Sequence, residues 1–172
     1  SEPHDRQAKQ IHREFMEELK YAYQTYPIKA QPGATQLFEI LRQHGVLVVL
    51  NTGFVSETAT YILKKLEWVI GREIDGLITA SDVKNNRPKP DMILKAMAQL
   101  GIDNPKSVVK IGDSMVDIEE GQNAGCLLSI GITTGAQTRA EVQKANPSYI
   151  IDNLLELLPI LSKYNSVAAA SA

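Results

Sequence analysis

The chain has 172 residues, 44 % hydrophobic and 22 % charged, enough for one globular domain with a core of its own. A formal charge of −2 excludes a general electrostatic pull toward nucleic acid or anionic membrane, so any site for an anion has to be local. The single cysteine, Cys126, excludes an internal disulfide and a cysteine zinc cluster and suits a reducing cytoplasm, and no apolar run is long enough to span a bilayer.

The first predicted element is a helix, with Ile11, Phe15, Leu19 and Tyr23 recurring every four residues and the run stopping before Pro27. A second helix starts near Pro32 and Gly33, turns Leu37, Ile40 and Leu41 inward, and ends at Gly45. The rhythm then changes. Short apolar runs at residues 46–50, 76–79, 107–111, 127–130 and, more weakly, 149–151 have the pattern of strands buried on both faces. Helical patterns fill the gaps at residues 56–66, 91–100, 117–124, 138–145 and 153–161, with Gly101 and Gly125 placed to end two of them. Alternation of this kind predicts an α/β fold: a Rossmann-like parallel sheet with helices on both faces. Ligands of such sheets sit beyond the carboxyl ends of the strands, so the loops after the strands are the ones to read. The alanine-rich segment 164–172 is expected to be a disordered tail.

Three of those loops carry chemistry. After the first strand, Asn51-Thr52-Gly53-Phe54 offers a hydroxyl, a glycine that admits a close backbone approach, and the free amides of a helix start, a combination that suits phosphate. The same residues also make an ordinary strand-to-helix turn with Ser56 as N-cap. After the second strand, Arg87-Pro88-Lys89-Pro90 presents cations on a stiffened backbone: Arg87 has a planar fork for a phosphate, Lys89 a point charge. A solvated loop whose Pro90 opens the next helix is the plainer alternative. After the third strand, Gly112-Asp113-Ser114-Met115-Val116-Asp117 places two carboxylates four residues apart across a strand-helix junction, where hard oxygens suit Mg²⁺. Acids in a first helical turn also favour the helix dipole.

A hydroxyl, a cation and a carboxylate pair, on successive strand tips, resemble motifs II, III and IV of the haloacid dehalogenase superfamily. Leu50-Asn51-Thr52-Gly53-Phe54, Arg87-Pro88-Lys89-Pro90-Asp91, Gly112-Asp113-Ser114, Asn123-Ala124-Gly125 and Gly131-Ile132-Thr133-Thr134-Gly135-Ala136 resemble its phosphonatase-like branch, named for phosphonoacetaldehyde hydrolase. The resemblance covers residues 32–161 and implies three regions: the last helix of a helical cap at 1–26, a hydrolase core at 27–163, and the tail. It also implies metal-assisted transfer of a phosphoryl group to an aspartate, followed by water attack, on a small phosphorylated metabolite. Thr52 and Gly53 would then bind the phosphoryl oxygens. Arg87 would neutralise charge, with Lys89 in reserve. Asp113 and Asp117 would hold Mg²⁺, supported by Ser114. Carbon-phosphorus cleavage through a cap lysine, a related phosphomutase activity, and a non-catalytic phosphate or partner binder remain as alternatives. The family's Asp-x-Asp nucleophile motif does not occur in the 172 residues. Its strand belongs between those bearing Thr52 and Asp113, so the expectation is a slot there, with the nucleophile on a segment outside this chain.

Other conspicuous residues have plainer expectations. His4, His12 and His44 lack ligand spacing and read as surface residues; Cys126 and Trp68 read as packing residues. Leu154, Leu155, Leu157 and Leu158 read as a helix face against the sheet.

Overall fold

The computed structural model describes residues 2–170; the side chains of residues 2–5, 8, 12, 16, 19, 20, 24 and 165–170 lie outside the description. Helix α1 (Glu2–Thr25) is followed by α2 (Ala34–Gln43), β1 (Val49–Thr52), α3 (Ser56–Lys65), β2 (Gly76–Thr79), α4 (Asp91–Leu100), β3 (Val109–Gly112), α5 (Met115–Asn123), β4 (Leu128–Ile132), α6 (Arg139–Gln143), β5 (Tyr149–Ile151) and α7 (Leu157–Ala170). Every strand pairing is parallel, as expected of strands separated by helices. The strands form two sheets rather than one: β1 with β2, and β3-β4-β5.

Strand β4 shows how the layers are built. All five of its residues are buried, yet their chemistry alternates. Leu128, Ile130 and Ile132 pack with Leu37 of α2 and Leu157 and Ile160 of α7 in the main apolar cluster. On the opposite face Ser129 and Gly131 are small because helices come close. A Cβ on Gly131 would lie 2.3 Å from Val142 of α6, and one on Gly121 of α5 would lie 2.3 Å from the Ser129 hydroxyl. Helices therefore cover both faces, and α5 lies tight against β3 and β4. A second cluster joins Ala34 and Phe38 of α2 to Val48, Leu63 and Ile74, and Trp68 completes it by stacking edge-on against Phe38 at 5.0 Å. Full burial of such side chains stabilises by about 1.5–3 kcal/mol each.

Several boundaries differ from the sequence-based expectation for identifiable reasons. The apolar run at residues 46–50 was expected to be the first strand, but Val46 and Leu47 are exposed and pairing begins at Val49, opposite Gly76. Asp75 sets this register: its carboxylate accepts from Val48 N–H and its own N–H donates to Val48 O. Pro105–Ser107 turn as a 3-10 segment, delaying the next strand to Val109. Leu154–Glu156 form another, so the last helix starts at Leu157. That helix runs to Ala170; alanine is the strongest helix former.

Gly101 and Gly125 do adopt the left-handed backbone that ends helices, with φ of 67° and 76°. On α1, Ile11 and Phe15 are exposed, while Tyr23 leans edge-on against Phe54 at 5.8 Å. His44 is exposed and its ring sits 2.8 Å from Ile40 O; the side chains of His4 and His12 lie outside the described residues. No helix among the described residues is long and apolar enough to cross a membrane.

Candidate active site

Thr52 ends β1 and its Oγ1 accepts from Phe54 N–H at 3.2 Å, leaving the hydroxyl proton free to donate outward. The β1 loop is pinned to the β2 loop: Ala80 N–H donates to Phe54 O, and the Ser81 hydroxyl accepts from Ser56 N–H at 3.1 Å. Ser56 was expected to cap α3 itself. The cap position is Val55, and the hydroxyl comes from Ser81 across the gap.

The loop after β2 is held at both ends. Asp91 accepts from the backbone and side-chain amides of Asn85, and Asn123 of α5 donates to Pro88 O at 2.8 Å. Between these anchors Arg87 crosses to the other sheet and its Nη1 donates to Asp117 Oδ1 at 2.7 Å. The guanidinium passes directly over Gly53, where a Cβ would lie 2.6 Å from Nη2. Any side chain at position 53 would drive Arg87 away. The Arg87 Nε is buried without a hydrogen-bond partner among the described residues. An orphaned buried donor is costly, which marks a place for an acceptor. Lys89 is exposed, and only its backbone N–H is engaged, with Asn86 O.

Beyond β3, the two acids face different partners. Asp117 is 3 % exposed and packs over Gly112. Its Oδ1 receives Arg87 and the Lys110 Nζ (3.2 Å), and its Oδ2 accepts the Ser114 hydroxyl at 2.5 Å. Burial opposes its ionisation more than any other single influence. Lys110, the Ser114 hydroxyl and Arg87 together outweigh it and hold the carboxyl below its ordinary value. Asp113 turns instead toward the loop after β4: its Oδ2 accepts from Ala136 N–H at 2.9 Å, over Gly135. Gln137 of the same loop accepts from Met115 N–H at the start of α5. Asp113 Oδ1 has no partner among the described residues.

The structure thus joins Arg87 to Gly53, Asp117 and Ser114. Thr52 stands at the neighbouring strand tip, Asp113 is tied to the β4 loop, and the Lys89 side chain has no hydrogen bond or ion pair among the described residues. Two sets of residues had no role in the sequence reading. Lys110, 7 % exposed, hid inside an apolar run; a lone cation between Val109 and Ile111 was the signal available. Gly135 and Ala136 belonged to a run that resembles the phosphonatase-like branch but were given no role, and Gln137 was not singled out. A recess of about 400 Å³ lined by Thr35, Glu39, Arg42, Gln43, Arg72 and Glu73 lies beside Asp75. Asp75 immediately precedes β2, so this recess is at the opposite strand ends from Thr52 and Asp113 and takes no part in the site.

Residues 2–125 match the family described as haloacid dehalogenase-like hydrolase. The chain belongs to that family, on its phosphonatase-like branch. The phosphonoacetaldehyde hydrolase of Latilactobacillus sakei is 31 % identical over 158 residues, covering 78 % of this chain and 59 % of that protein. The one from Bordetella pertussis is 30 % identical over 192 residues, covering 98 % and 68 %. Among solved structures, a phosphonoacetaldehyde hydrolase-like protein of Oleispira antarctica superposes with a TM-score of 0.71, covering 91 % of this chain and 68 % of that one; at 22 % identity it speaks for the fold alone. The chain spans about three fifths of the length of the first of these relatives.

Proposed function

We propose that the protein is a magnesium-dependent phosphohydrolase acting on a small phosphorylated metabolite, with the phosphoryl group held between the tips of β1 and β3. The observation that carries this is the Arg87 guanidinium, laid over Gly53 with a buried donor lacking an acceptor. A phosphoryl oxygen supplies that acceptor. Thr52 donates its free hydroxyl to a second oxygen, and the backbone amide of Gly53 would assist. Arg87 then neutralises the charge spreading over the equatorial oxygens.

The acids fit a hard cation. Mg²⁺ is commonly held by one or two carboxylates together with waters and substrate phosphate, and no larger cluster of acidic, histidine or cysteine side chains exists among the described residues. Asp113, with one oxygen anchored by Ala136 and the other free, would hold it directly, and Asp117 would complete or orient its shell. Bound there, Mg²⁺ would neutralise phosphoryl charge. In this reading the nucleophile is an aspartate on a strand between β1 and β3, carried by a segment outside these 172 residues. The separation of the two sheets at that point supports it. Residues 1–26 would be the last helix of a cap, whose exposed Ile11 and Phe15 await a neighbour.

The test is hydrolysis of a panel of phosphate monoesters by the intact protein, with and without Mg²⁺, in wild type and Arg87→Ala. Turnover that needs Mg²⁺ and falls by two orders of magnitude or more in Arg87→Ala is expected, from loss of about 2.7–4 kcal/mol of transition-state stabilisation. Undiminished turnover in the variant would overturn the assignment. A second reading, cleavage of phosphonoacetaldehyde through a lysine imine, is favoured by the names of the relatives. Borohydride trapping with that substrate separates the two: a covalent adduct supports carbon-phosphorus cleavage, and its absence leaves the phosphatase.

A further inference from the structure

Lys110 sits in the middle of β3 on the face covered by α5, and α5 makes room for it. A Cβ on Gly121 would lie 2.7 Å from Lys110 Cβ. The ammonium donates to Asn51 Oδ1 at 2.6 Å and is ion-paired with Glu120 Oε2 at 2.9 Å and Asp117 Oδ1 at 3.2 Å. Glu120 is fully buried and also accepts from Asn51 Nδ2, at 2.9 and 3.1 Å. Asn51 belongs to β1 and directly precedes Thr52. The cluster therefore runs from one sheet to the other, although β1 and β3 share no backbone pairing. Counted with Arg87, it contains two cations and two carboxylates.

We propose that Lys110 is a positioning residue for the phosphate site. With Asn51 and Glu120 it fixes the strand tip bearing Thr52 against Asp117, and it keeps hold of Asp117 when Arg87 turns toward an anion. The inference rests on reading the strand tips as a phosphoryl site. Stability alone is a poor reason for such a cluster, since apolar residues of similar volume fill a core at least as well. Arg87 and Lys110 share one oxygen of Asp117. A guanidinium leaving that oxygen would strand a buried carboxylate if no second cation stayed behind.

The test uses the intact protein and two probes: inorganic phosphate with Mg²⁺ by calorimetry, and p-nitrophenyl phosphate for kcat and KM. Lys110→Met alone leaves two buried carboxylates facing one guanidinium, so unfolding can mask its effect. Lys110→Met with Glu120→Gln preserves the net charge and an acceptor for Asn51. This double variant should keep a urea midpoint close to wild type, yet bind phosphate roughly tenfold or more weakly and lose kcat by a similar factor. Asn51→Ala leaves every ion pair intact and should weaken phosphate binding in the same way. Phosphate affinity and kcat within about threefold of wild type in either folded variant would reduce Lys110 to a structural ion pair and overturn the proposal. A wild type that binds phosphate but turns over no ester retires the hydrolase reading and leaves this inference to the calorimetry. A wild type that binds no phosphate overturns both.

Discussion

Gly135→Ala should disable the site while leaving the fold in place. The added Cβ would lie 1.8 Å from Asp113 Oδ2, 2.3 Å from its Cγ and 2.2 Å from its Cβ, where real contacts stay above 3.0 Å. The carboxylate and the loop must therefore separate by about 1.2 Å or more at the closest pair. Position 135 has an ordinary backbone and is exposed, so the chain can swing outward; overpacking costs about 1–3 kcal/mol, and an exposed loop belongs at the low end. Function should suffer more. Moving outward withdraws Ala136 N–H from Asp113, and a misplacement of about 1 Å at a reacting centre costs on the order of a hundredfold in rate, or about 2.7 kcal/mol. The assay is kcat/KM and the Mg²⁺ activation curve for the best monoester, alongside a urea titration. The expected result is a fall of roughly 30–100-fold in kcat/KM and a higher Mg²⁺ midpoint, with the urea midpoint little changed. Wild-type kinetics with an unchanged Mg²⁺ requirement would refute the reasoning and remove Asp113 from the reacting centre.

Lys89→Ala should leave kcat and KM within about threefold of wild type, because its side chain is exposed and has no hydrogen bond or ion pair among the described residues; a loss comparable to that of Arg87→Ala would reverse their roles. Ile130→Ala, at a fully buried position between α2 and α7, should cost about 2–5 kcal/mol in a urea titration, and a cost under 1 kcal/mol would contradict the packing described. Stability should fall as pH drops below the carboxylate range. The hydroxyl and then the N–H of Thr79 hold Asp82 below its ordinary value of 3.8, so its contribution is present above that pH and lost as pH falls through its lower folded value. Asp82→Asn should flatten that acid limb of the urea midpoint, and an unchanged limb would show that the Thr79 bonds do not bear on folding.

The periodicities that distinguish helix from strand were legible along most of the chain because each element has a clean pattern and a terminator such as Gly101. Strand registers were not. Asp75 decides where β1 begins, and a side chain 26 residues downstream leaves no mark within the apolar run at 46–50. Burial on both faces was legible for β4, but the division into an apolar face and a face of small residues follows from how closely α5 and α6 approach. At the site, Thr52, Arg87, Asp113 and Asp117 stood out because each follows a strand. Lys110 did not, because one charge in five residues barely disturbs a hydrophobic average, and its three partners come from β1 and α5. The hold of Ala136 on Asp113 was also invisible, since it is a backbone amide and any residue but proline supplies one.

Cys126 lies under α4, packed with Ile93, Met97 and Ala124, and burial is the main reason its thiol is pushed up to about 11. At neutral pH it is almost wholly protonated and shielded, and protonated thiols are poor nucleophiles. The sole cysteine is therefore a built-in clock for the opening of this layer. An alkylating reagent must wait for α4 to separate from the cluster that covers the thiol. The labelling rate then reads how often that happens, independently of turnover at the strand tips.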